Sequence, residues 1–222
     1  MREKILVSWS TGKDSALVVQ KLLEEDLYEP ILLSCLTEDY RRVSMHGVRQ
    51  ELLDEQVRRL GLPLERVWIP AVCSNEEYGV RMARVLGKYL AQGVTKVAFG
   101  DIHLTEVRAY REENLARVNM QGLFPLWGIA ASALANSFVE LGFQAITTCI
   151  DSRTLDRAFV GRLYDADFLD ALSAQTDPCG ENGEFHTFVF GGPLFEKSVQ
   201  FTPGEIVLRD KYFYFCDLIP QK

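Results

Sequence analysis

A cluster of hydroxyl, lysine and carboxylate side chains stands near the start of the chain, in the segment Ser10-Thr-Gly-Lys-Asp-Ser15. It follows the apolar run Ile5–Ser8 and precedes an apolar helical pattern. The N-terminus of a helix presents unpaired N–H groups and the positive end of the helix dipole, and both attract phosphate. Hydroxyls can donate to phosphate oxygens, the glycine permits close backbone approach, and the lysine adds positive charge. This segment, called here the phosphate loop, is therefore predicted to bind phosphate.

Two better-known phosphate-binding loops do not fit the spacing. A Walker loop needs a glycine where this chain has Val7, and a serine or threonine where it has Asp14. The glycine-rich dinucleotide fingerprint is also absent from the sequence. The structural alternative is a plain strand-to-helix turn capped by Asp14 or Ser15. Such a turn does not need hydroxyl, lysine and carboxylate groups together.

Strand and helix patterns alternate over most of the chain. The predicted strands are Ile5–Ser8, Pro30–Leu36, Val67–Ile69, Val94–Gly100 and Gln144–Ile150, and the predicted helices are Ser15–Glu25, Val48–Leu60, Ser74 to about Gln92, and Thr105–Met120. This alternation predicts an α/β fold, with a parallel five-stranded sheet covered by helices on both faces. The usual strand order for this architecture is 3-2-1-4-5, and ligands bind beyond the carboxyl ends of the strands.

The tail has a different pattern. From about Phe185, short strands are broken by glycine and proline, which predicts an antiparallel meander. The shift in composition predicts a nucleotide-binding domain over residues 1–122. A smaller α+β region follows over residues 123–222.

Composition narrows the class of protein. The 222 residues carry a net charge of −7, which argues against broad electrostatic binding of nucleic acid. Five scattered cysteines give neither a zinc pattern nor a disulfide framework. The sequence has no apolar run long enough for a membrane helix, and its basic start lacks a signal-peptide pattern. A cytoplasmic protein without a membrane partner is expected.

Three further segments carry chemically active groups. Met45 and His46 follow the second predicted strand, and Phe99-Gly-Asp-Ile102 follows the fourth. The segment Asp177-Pro-Cys-Gly-Glu-Asn-Gly-Glu-Phe-His-Thr187, called here the 177–187 loop, gathers carboxylates, a histidine and a cysteine around two glycines. Loops are where catalytic groups concentrate, so this loop is a candidate for part of an active site.

The phosphate loop resembles the S-G-G-x-D-S signature of the N-type ATP pyrophosphatases, in the adenine nucleotide alpha hydrolase-like superfamily, with Thr11 replacing the first glycine. Together with the three further segments, in this order, it resembles the diphthine–ammonia ligase family. The resemblance extends over nearly the whole chain. The chain resembles the short, single-module form of this family, which lacks the additional C-terminal domains of the eukaryotic members.

The resemblance implies a reaction in which ATP activates a carboxylate as an acyl-adenylate, pyrophosphate leaves, and ammonia attacks to form an amide. The implied partners are ATP, Mg²⁺, ammonium and an acceptor carboxylate, for which diphthine on translation elongation factor 2 is one candidate. A homodimer is left open. Two alternatives remain: ATP-dependent thiolation or amination of an RNA base, and a sensor that binds ATP or AMP without turnover.

The resemblance also implies that the smaller region over residues 123–222 serves the acceptor substrate, and it assigns roles to individual residues. The predicted nucleotide-binding residues are Ser8, Ser10, Thr11, Gly12, Lys13, Asp14, Ser15, Met45, His46 and Gly100. The predicted catalytic residues are Lys13, Asp101, Arg111, Glu181, Glu184 and His186. Asp14 and Asp101, at the ends of neighbouring strands, are predicted to hold Mg²⁺ through hard oxygen ligands.

Roles within these sets differ. Glu184 or His186 could orient the acceptor or take a proton from the attacking ammonium. Arg108 and Arg111 share one helix face, which leaves two alternatives: a clamp on phosphate or on the substrate carboxylate, and a solvated face. Arg111 is the one that matches the family pattern. Cys179 suggests the sulfur transfer of tRNA-thiolating relatives, but no second cysteine stands at a sensible spacing, so it is interpreted as packing.

Overall fold

The computed structural model describes residues 2–221. In chain order, the strands are β1 (Glu3–Ser8), β2 (Tyr28–Thr37), β3 (Arg42–Val43), β4 (Leu64–Ile69), β5 (Lys96–Ala98), β6 (Gln121–Leu123), β7 (Gln144–Asp151), β8 (Phe185–Gly191), β9 (Phe201–Arg209) and β10 (Phe213–Pro220). The helices are α1 (Lys13–Glu24), α2 (Gln50–Leu60), α3 (Asn75–Leu90), α4 (Thr105–Ala116), α5 (Ala131–Glu140) and α6 (Ala166–Ala171), with a short 3₁₀ turn at Arg157–Phe159.

The contacts divide the described residues into two compact units. The first contains the chain up to Ser10, together with Asp14–Arg41 and Leu62–Gly128. The second contains Thr11–Lys13, Arg42–Gly61 and the chain from Ile129 onwards. The sequence-based division at residue 122 is continuous along the chain, whereas these units are not.

The first unit is built on a parallel sheet. Its strands lie in the order β4-β2-β1-β5-β6, and every one of these pairs is parallel. The central strand β1 buries Ile5, Leu6 and Val7 completely. This arrangement confirms the predicted order of the first four strands.

The prediction for the fifth strand was wrong. That place is taken by β6, whose three residues are too few to give a readable pattern. The segment Gln144–Ile150 belongs instead to β7, in the second unit's antiparallel sheet. All but the first residue of β7 are buried, so the strand lacks the alternation that distinguishes a half-exposed antiparallel strand from a parallel one.

Helices α3 and α4 pack onto the first unit's sheet. Leu86 of α3 and Leu115 of α4 join Leu6, Ile31 and other strand residues in one apolar core. The predicted start of α3 is confirmed, because Ser74 caps it by accepting a hydrogen bond from the backbone N–H of Glu77 at 3.1 Å. Within residues 2–221, no helix is both long enough and apolar enough to span a bilayer.

The second unit is built on an antiparallel sheet of order β8-β7-β10-β9. The antiparallel prediction is confirmed, but the sheet is not a meander, since β7 separates β8 from β10. Strands β9 and β10 form a hairpin whose turn residues Asp210 and Lys211 have φ of 48° and 68°, as hairpin turns require. Pro203 lies on β9, an edge strand, where a missing N–H is tolerated.

An aromatic cluster forms part of the second unit's core. Tyr164 lies 5.2 Å from Phe168 and 5.9 Å from Phe185 between ring centres, and Phe168 lies 5.4 Å from Phe185. Phe138 of α5 completes the group, 5.5 Å from Tyr164. The cluster contacts the 177–187 loop at two points: Phe185 is the first residue of β8, and Tyr164 donates a hydrogen bond to the carbonyl of Pro178, near the start of the loop, at 2.7 Å.

Candidate functional site

The phosphate loop runs from the end of β1 into the first turn of α1, as the sequence predicts. In the first unit, the hydroxyls of Ser10 and Ser15 lie 3.3 Å apart. Ser8 is half-buried at the end of β1, where its backbone aligns with Leu33 of β2. Asp14 occupies the first turn of α1. Hydroxyl groups are therefore collected at a helix N-terminus, where an anion is favoured.

Asp14 lies against the end of the neighbouring strand β5. A Cβ placed on Gly100 would lie only 3.1 Å from the Cβ of Asp14 and 3.2 Å from its carbonyl carbon. Gly100 therefore permits a backbone approach that a larger residue would obstruct. The next residue, Asp101, is buried with 8% of its surface exposed. Asp14, in the first turn of α1, thus lies beside the residue that precedes Asp101, and both predicted metal-binding carboxylates belong to the first unit.

The two arginines of α4 have different partners, and Arg111 is the one that contacts Asp101. Its Nε and Nη2 contact the two carboxylate oxygens of Asp101 at 2.6 and 3.1 Å, and its guanidinium lies 4.5 Å from the ring centre of Phe99. Arg108 instead lies over Phe124 and Trp127, at 4.7 Å from each ring centre. The two arginines share a helix, but only Arg111 pairs with a predicted site residue.

The second unit joins the phosphate loop to the 177–187 loop. Lys13 is 3% exposed, and its ammonium donates a hydrogen bond to the carbonyl of Cys179. Its backbone N–H donates to the hydroxyl of Thr187 at 3.1 Å. The ammonium also lies 5.4 and 5.9 Å from the ring centres of Phe185 and Tyr164. Sequence analysis predicts separate roles for these two loops, but they are in direct contact.

Thr11 adopts a backbone conformation that favours glycine. Its φ is +73°, where a β-branched residue is a rare outlier. The residue is fully buried, and its hydroxyl has no hydrogen-bond partner among residues 2–221. The glycine usual at this position in the resembled signature therefore has a conformational reason, and Thr11 retains the same backbone shape in spite of its side chain.

Gly12 is required for a different reason, which is space. A Cβ on this residue would lie 2.8 Å from Cε1 of His46 and 3.1 Å from the carbonyl oxygen of Thr187. The Nδ1 of His46 lies 3.1 Å from that same oxygen. Because a carbonyl only accepts hydrogen bonds, Nδ1 carries the hydrogen and Nε2 is left as an acceptor.

His46 and His186 form a pair of neutral rings. Their centres are 4.6 Å apart, with the planes tilted by 33°. The pKa of His46 is lowered to about 4, mainly by loss of hydration and to a smaller extent by the nearby Lys13 charge, against the opposing effect of the Thr187 carbonyl. Burial lowers the pKa of His186 well below its usual value, helped by His46 and Lys13. Both rings keep some surface exposure, yet the surrounding protein displaces enough water for desolvation to dominate.

Glu184 organises its own loop. It is 5% exposed, and its carboxylate accepts hydrogen bonds from the backbone N–H of Asp177 at 3.3 Å and of Asn182 at 3.0 Å. The side-chain amide of Asn182 donates a third, at 3.0 Å. Glu181 is half-buried in the same loop. Glu184 therefore fixes the conformation of the loop through both of its oxygens.

The remaining site predictions have mixed outcomes. Cys179 is buried, with its thiol 3.3 Å from the carbonyl oxygen of Ala131, which agrees with the packing role predicted for it. Met45 has a φ of 65° and is 71% exposed.

Sequence reasoning missed Gln56 and Thr187, which both contact the phosphate loop. A glutamine in an amphipathic helix gives no signal of its own, whereas Thr187 ends a segment that had already been singled out.

Two known domain families match successive parts of the chain. The diphthamide synthase N-terminal domain matches residues 3–121, and the diphthamide synthase C-terminal domain matches residues 130–217. The chain belongs to the diphthamide synthase family. The first match ends close to the end of β6, and the second contains the 177–187 loop.

Individual relatives agree with this assignment. A diphthine–ammonia ligase of Schizosaccharomyces pombe is 32% identical over 116 residues, covering 50% of this chain and 19% of that protein. One from Danio rerio is 29% identical over 178 residues, covering 73% of this chain and 69% of that protein. The chain thus spans about a fifth of the length of the fission yeast relative. A solved structure described as a predicted subunit of tRNA methyltransferase from Methanocaldococcus jannaschii is 18% identical, with a TM-score of 0.47, and covers 89% of this chain and 100% of its own.

Proposed function

We propose that this protein is an ATP-dependent, AMP-forming amide ligase, which adenylates a carboxylate and transfers ammonia to it. The observation that carries the proposal is the contact between Lys13 and the 177–187 loop. Lys13 stands in the phosphate loop, and its ammonium and backbone N–H both donate hydrogen bonds to residues of the 177–187 loop. Within the second unit, a residue of the predicted phosphate-binding motif thus contacts a carboxylate-rich loop, which supports a reaction that uses both.

The first step uses the phosphate loop. A carboxylate oxygen of the acceptor attacks the α-phosphorus of ATP, the bond to the bridging oxygen breaks, and pyrophosphate leaves with the electron pair. The N–H groups at the start of α1 and the hydroxyls of Ser10 and Ser15 would bind the departing phosphates. The buried hydroxyl of Thr11, without a partner among residues 2–221, would gain one in a phosphate oxygen.

Asp14 and Asp101 are the residues proposed to hold Mg²⁺. The ion commonly takes one or two protein carboxylates and completes its shell with phosphate oxygens and water. Arg111 donates one hydrogen bond to Oδ1 of Asp101, and Oδ2 accepts none among residues 2–221, so the carboxylate keeps lone pairs that fit an ion. When bound, Mg²⁺ would neutralise charge on the phosphates.

The second step forms the amide. Ammonia attacks the acyl carbon, AMP leaves with the carboxyl oxygen it had bonded, and the nitrogen loses a proton. His46 and His186 are held neutral, and a neutral imidazole can accept that proton. Because Glu184 already accepts three hydrogen bonds within its loop, we assign it to positioning the loop and not to proton transfer.

The proposed acceptor is diphthine on translation elongation factor 2. The support is the name shared by the relatives, diphthine–ammonia ligase, and the family match over both halves of the chain. The reaction is proposed to take place in the cytoplasm, where ATP and translation factors are available.

Pyrophosphate release tests the proposal. Purified protein would be incubated with ATP, Mg²⁺, ammonium and diphthine-bearing elongation factor 2, with each component omitted in turn. We expect AMP and pyrophosphate only when ATP and the acceptor are both present. ATP binding without cleavage under every condition would instead favour the sensor, and cleavage stimulated by tRNA would favour modification of an RNA base.

A further inference from the structure

We infer that Gln56 is a positioning residue, which holds the phosphate loop in its binding conformation. The inference rests on the proposed function, since it concerns how ATP is bound. Gln56 lies on α2 and is fully buried, far along the chain from the loop that it contacts.

Gln56 bridges two backbone carbonyls. Its Nε2 donates to the carbonyl oxygen of Thr11 at 3.1 Å and to that of Val189 at 2.6 Å. The backbone N–H of Val189 donates to the Thr11 oxygen as well, at 2.9 Å. The Thr11 carbonyl therefore accepts two hydrogen bonds, and one side-chain amide joins the phosphate loop to β8.

These bonds act on the most strained residue of the loop. A threonine at a φ of +73° costs free energy unless its surroundings impose the conformation. The orientation of the Thr11 carbonyl depends on that conformation, and the two donors fix the carbonyl in place. Gln56 and Val189 thus stabilise a backbone shape that threonine would otherwise leave.

A glycine at position 11 would adopt the same shape without needing the bridge. Loss of the Gln56 amide should therefore matter less when residue 11 is glycine. This difference between the two backgrounds distinguishes a positioning role of Gln56 from a role in core packing alone. A cavity or an unpaired buried carbonyl created by replacing Gln56 would persist whichever residue stands at position 11.

The test is a double-mutant cycle of Gln56→Met and Thr11→Gly. Methionine keeps the length of the side chain but removes both donors. For Gln56→Met we expect ATP affinity, measured by calorimetry, to fall about tenfold, the equivalent of about 1.4 kcal/mol. We expect KM for ATP to rise with little change in kcat. In the Thr11→Gly background, the same change should weaken ATP binding by no more than about threefold.

Gln50→Met is the matched control, because it makes the same chemical change elsewhere on α2, at an amide that donates to the carboxylate of Asp54 at 3.4 Å. It should leave ATP affinity unchanged. Equal losses of affinity for Gln56→Met in both backgrounds would overturn the inference, as would a loss of thermal stability with unaltered KM. If the wild-type protein did not bind ATP, the proposed function would fail on its own. Amide hydrogen exchange at Val189 would then test the bridge, with faster exchange expected in Gln56→Met only when Thr11 is present.

Discussion

Gly12 and His46 are so close that the ring of His46 occupies the space a side chain on Gly12 would need. A Cβ built on Gly12 would lie 2.8 Å from Cε1 of His46, and the fixed carbonyl of Thr187 lies on the same side at 3.1 Å. The φ of Gly12 is not in the left-handed region, so space and not conformation requires glycine here. The phosphate loop is therefore packed against a histidine from the segment following β2.

Gly12→Ala should weaken ATP binding while the protein still folds. The added methyl group must displace His46 or the phosphate loop, and overpacking of this kind costs about 1–3 kcal/mol. Calorimetric titration with ATP should show the loss. Gly87→Ala in α3 is the matched control, since no atom lies within 4 Å of its added Cβ. It should bind ATP normally and gain up to about 1 kcal/mol of stability from the better helix propensity of alanine. Equal ATP affinity in both variants would contradict the packing argument.

Glu184→Gln should destabilise the 177–187 loop. Both carboxylate oxygens of Glu184 accept hydrogen bonds from N–H groups of Asp177 and Asn182. Glutamine has the same size, but its NH₂ group would replace one of these oxygens and would leave at least one N–H donor without an acceptor. Leaving a buried donor unpaired costs about 1–3 kcal/mol. Urea denaturation should show a lower free energy of unfolding.

The exposed Glu205 supplies the control for that experiment. Glu205→Gln removes the same charge from strand β9 and should change the free energy of unfolding by no more than about 0.5 kcal/mol. If Glu184→Gln were as stable as the wild type but slow in amide formation, Glu184 would act on the substrate and not on its own loop.

Stability should fall as the solution is acidified. His46 and His186 have lowered pKa values in the folded protein, so the unfolded chain binds more protons than the folded one. For His46, stability is lost over the pH interval from the ordinary histidine pKa of 6.5 down to its lowered pKa of about 4. Across this interval each histidine can contribute a loss of up to about 1.4 kcal/mol per pH unit.

Urea denaturation across that pH interval measures the effect. The double variant His46→Asn, His186→Asn should flatten the pH dependence, because asparagine does not titrate. Asparagine at position 46 also retains a donor for the Thr187 carbonyl. An unchanged slope in the double variant would mean that other groups cause the acid sensitivity.

Much of the first unit could be predicted from the sequence. Strands β1, β2, β4 and β5 have apolar runs bounded by turn residues. Ser74 and Gly61 mark helix ends through their own local chemistry, a capping hydroxyl and a flexible backbone. Gly61, for example, has a φ of 65° and ends α2 in the left-handed conformation. Such features depend on neighbours in sequence, so a single chain reveals them.

The rest depends on contacts between distant residues. Nothing local indicates that Lys13 bonds to Cys179, or that Gln56 is buried against Thr11. The strand β7 is buried on both faces, which hides whether its neighbours run parallel or antiparallel. The sequence therefore yields the residue types of the candidate site but not which side chains bond to one another.

Asp14→Asn should abolish turnover and leave the fold intact. The change removes the charge needed to bind a metal ion but keeps the size of the side chain, and Asp14 is half-buried in a first helical turn. Rates of pyrophosphate release and unfolding midpoints would be compared with those of Asp170→Asn, an exposed residue of α6. Near-normal turnover in Asp14→Asn would contradict the metal-binding role.

Incorporation of isotopically labelled ammonium into the acceptor tests the amide-ligase proposal most directly. The protein, ATP, Mg²⁺ and diphthine-bearing elongation factor 2 would be incubated with the labelled ammonium, and the acceptor would be analysed by mass spectrometry. The expected result is one labelled amide nitrogen in place of a carboxyl oxygen, formed together with one AMP and one pyrophosphate. If ATP were bound or cleaved while the acceptor carboxylate stayed unlabelled, the proposed reaction would be contradicted.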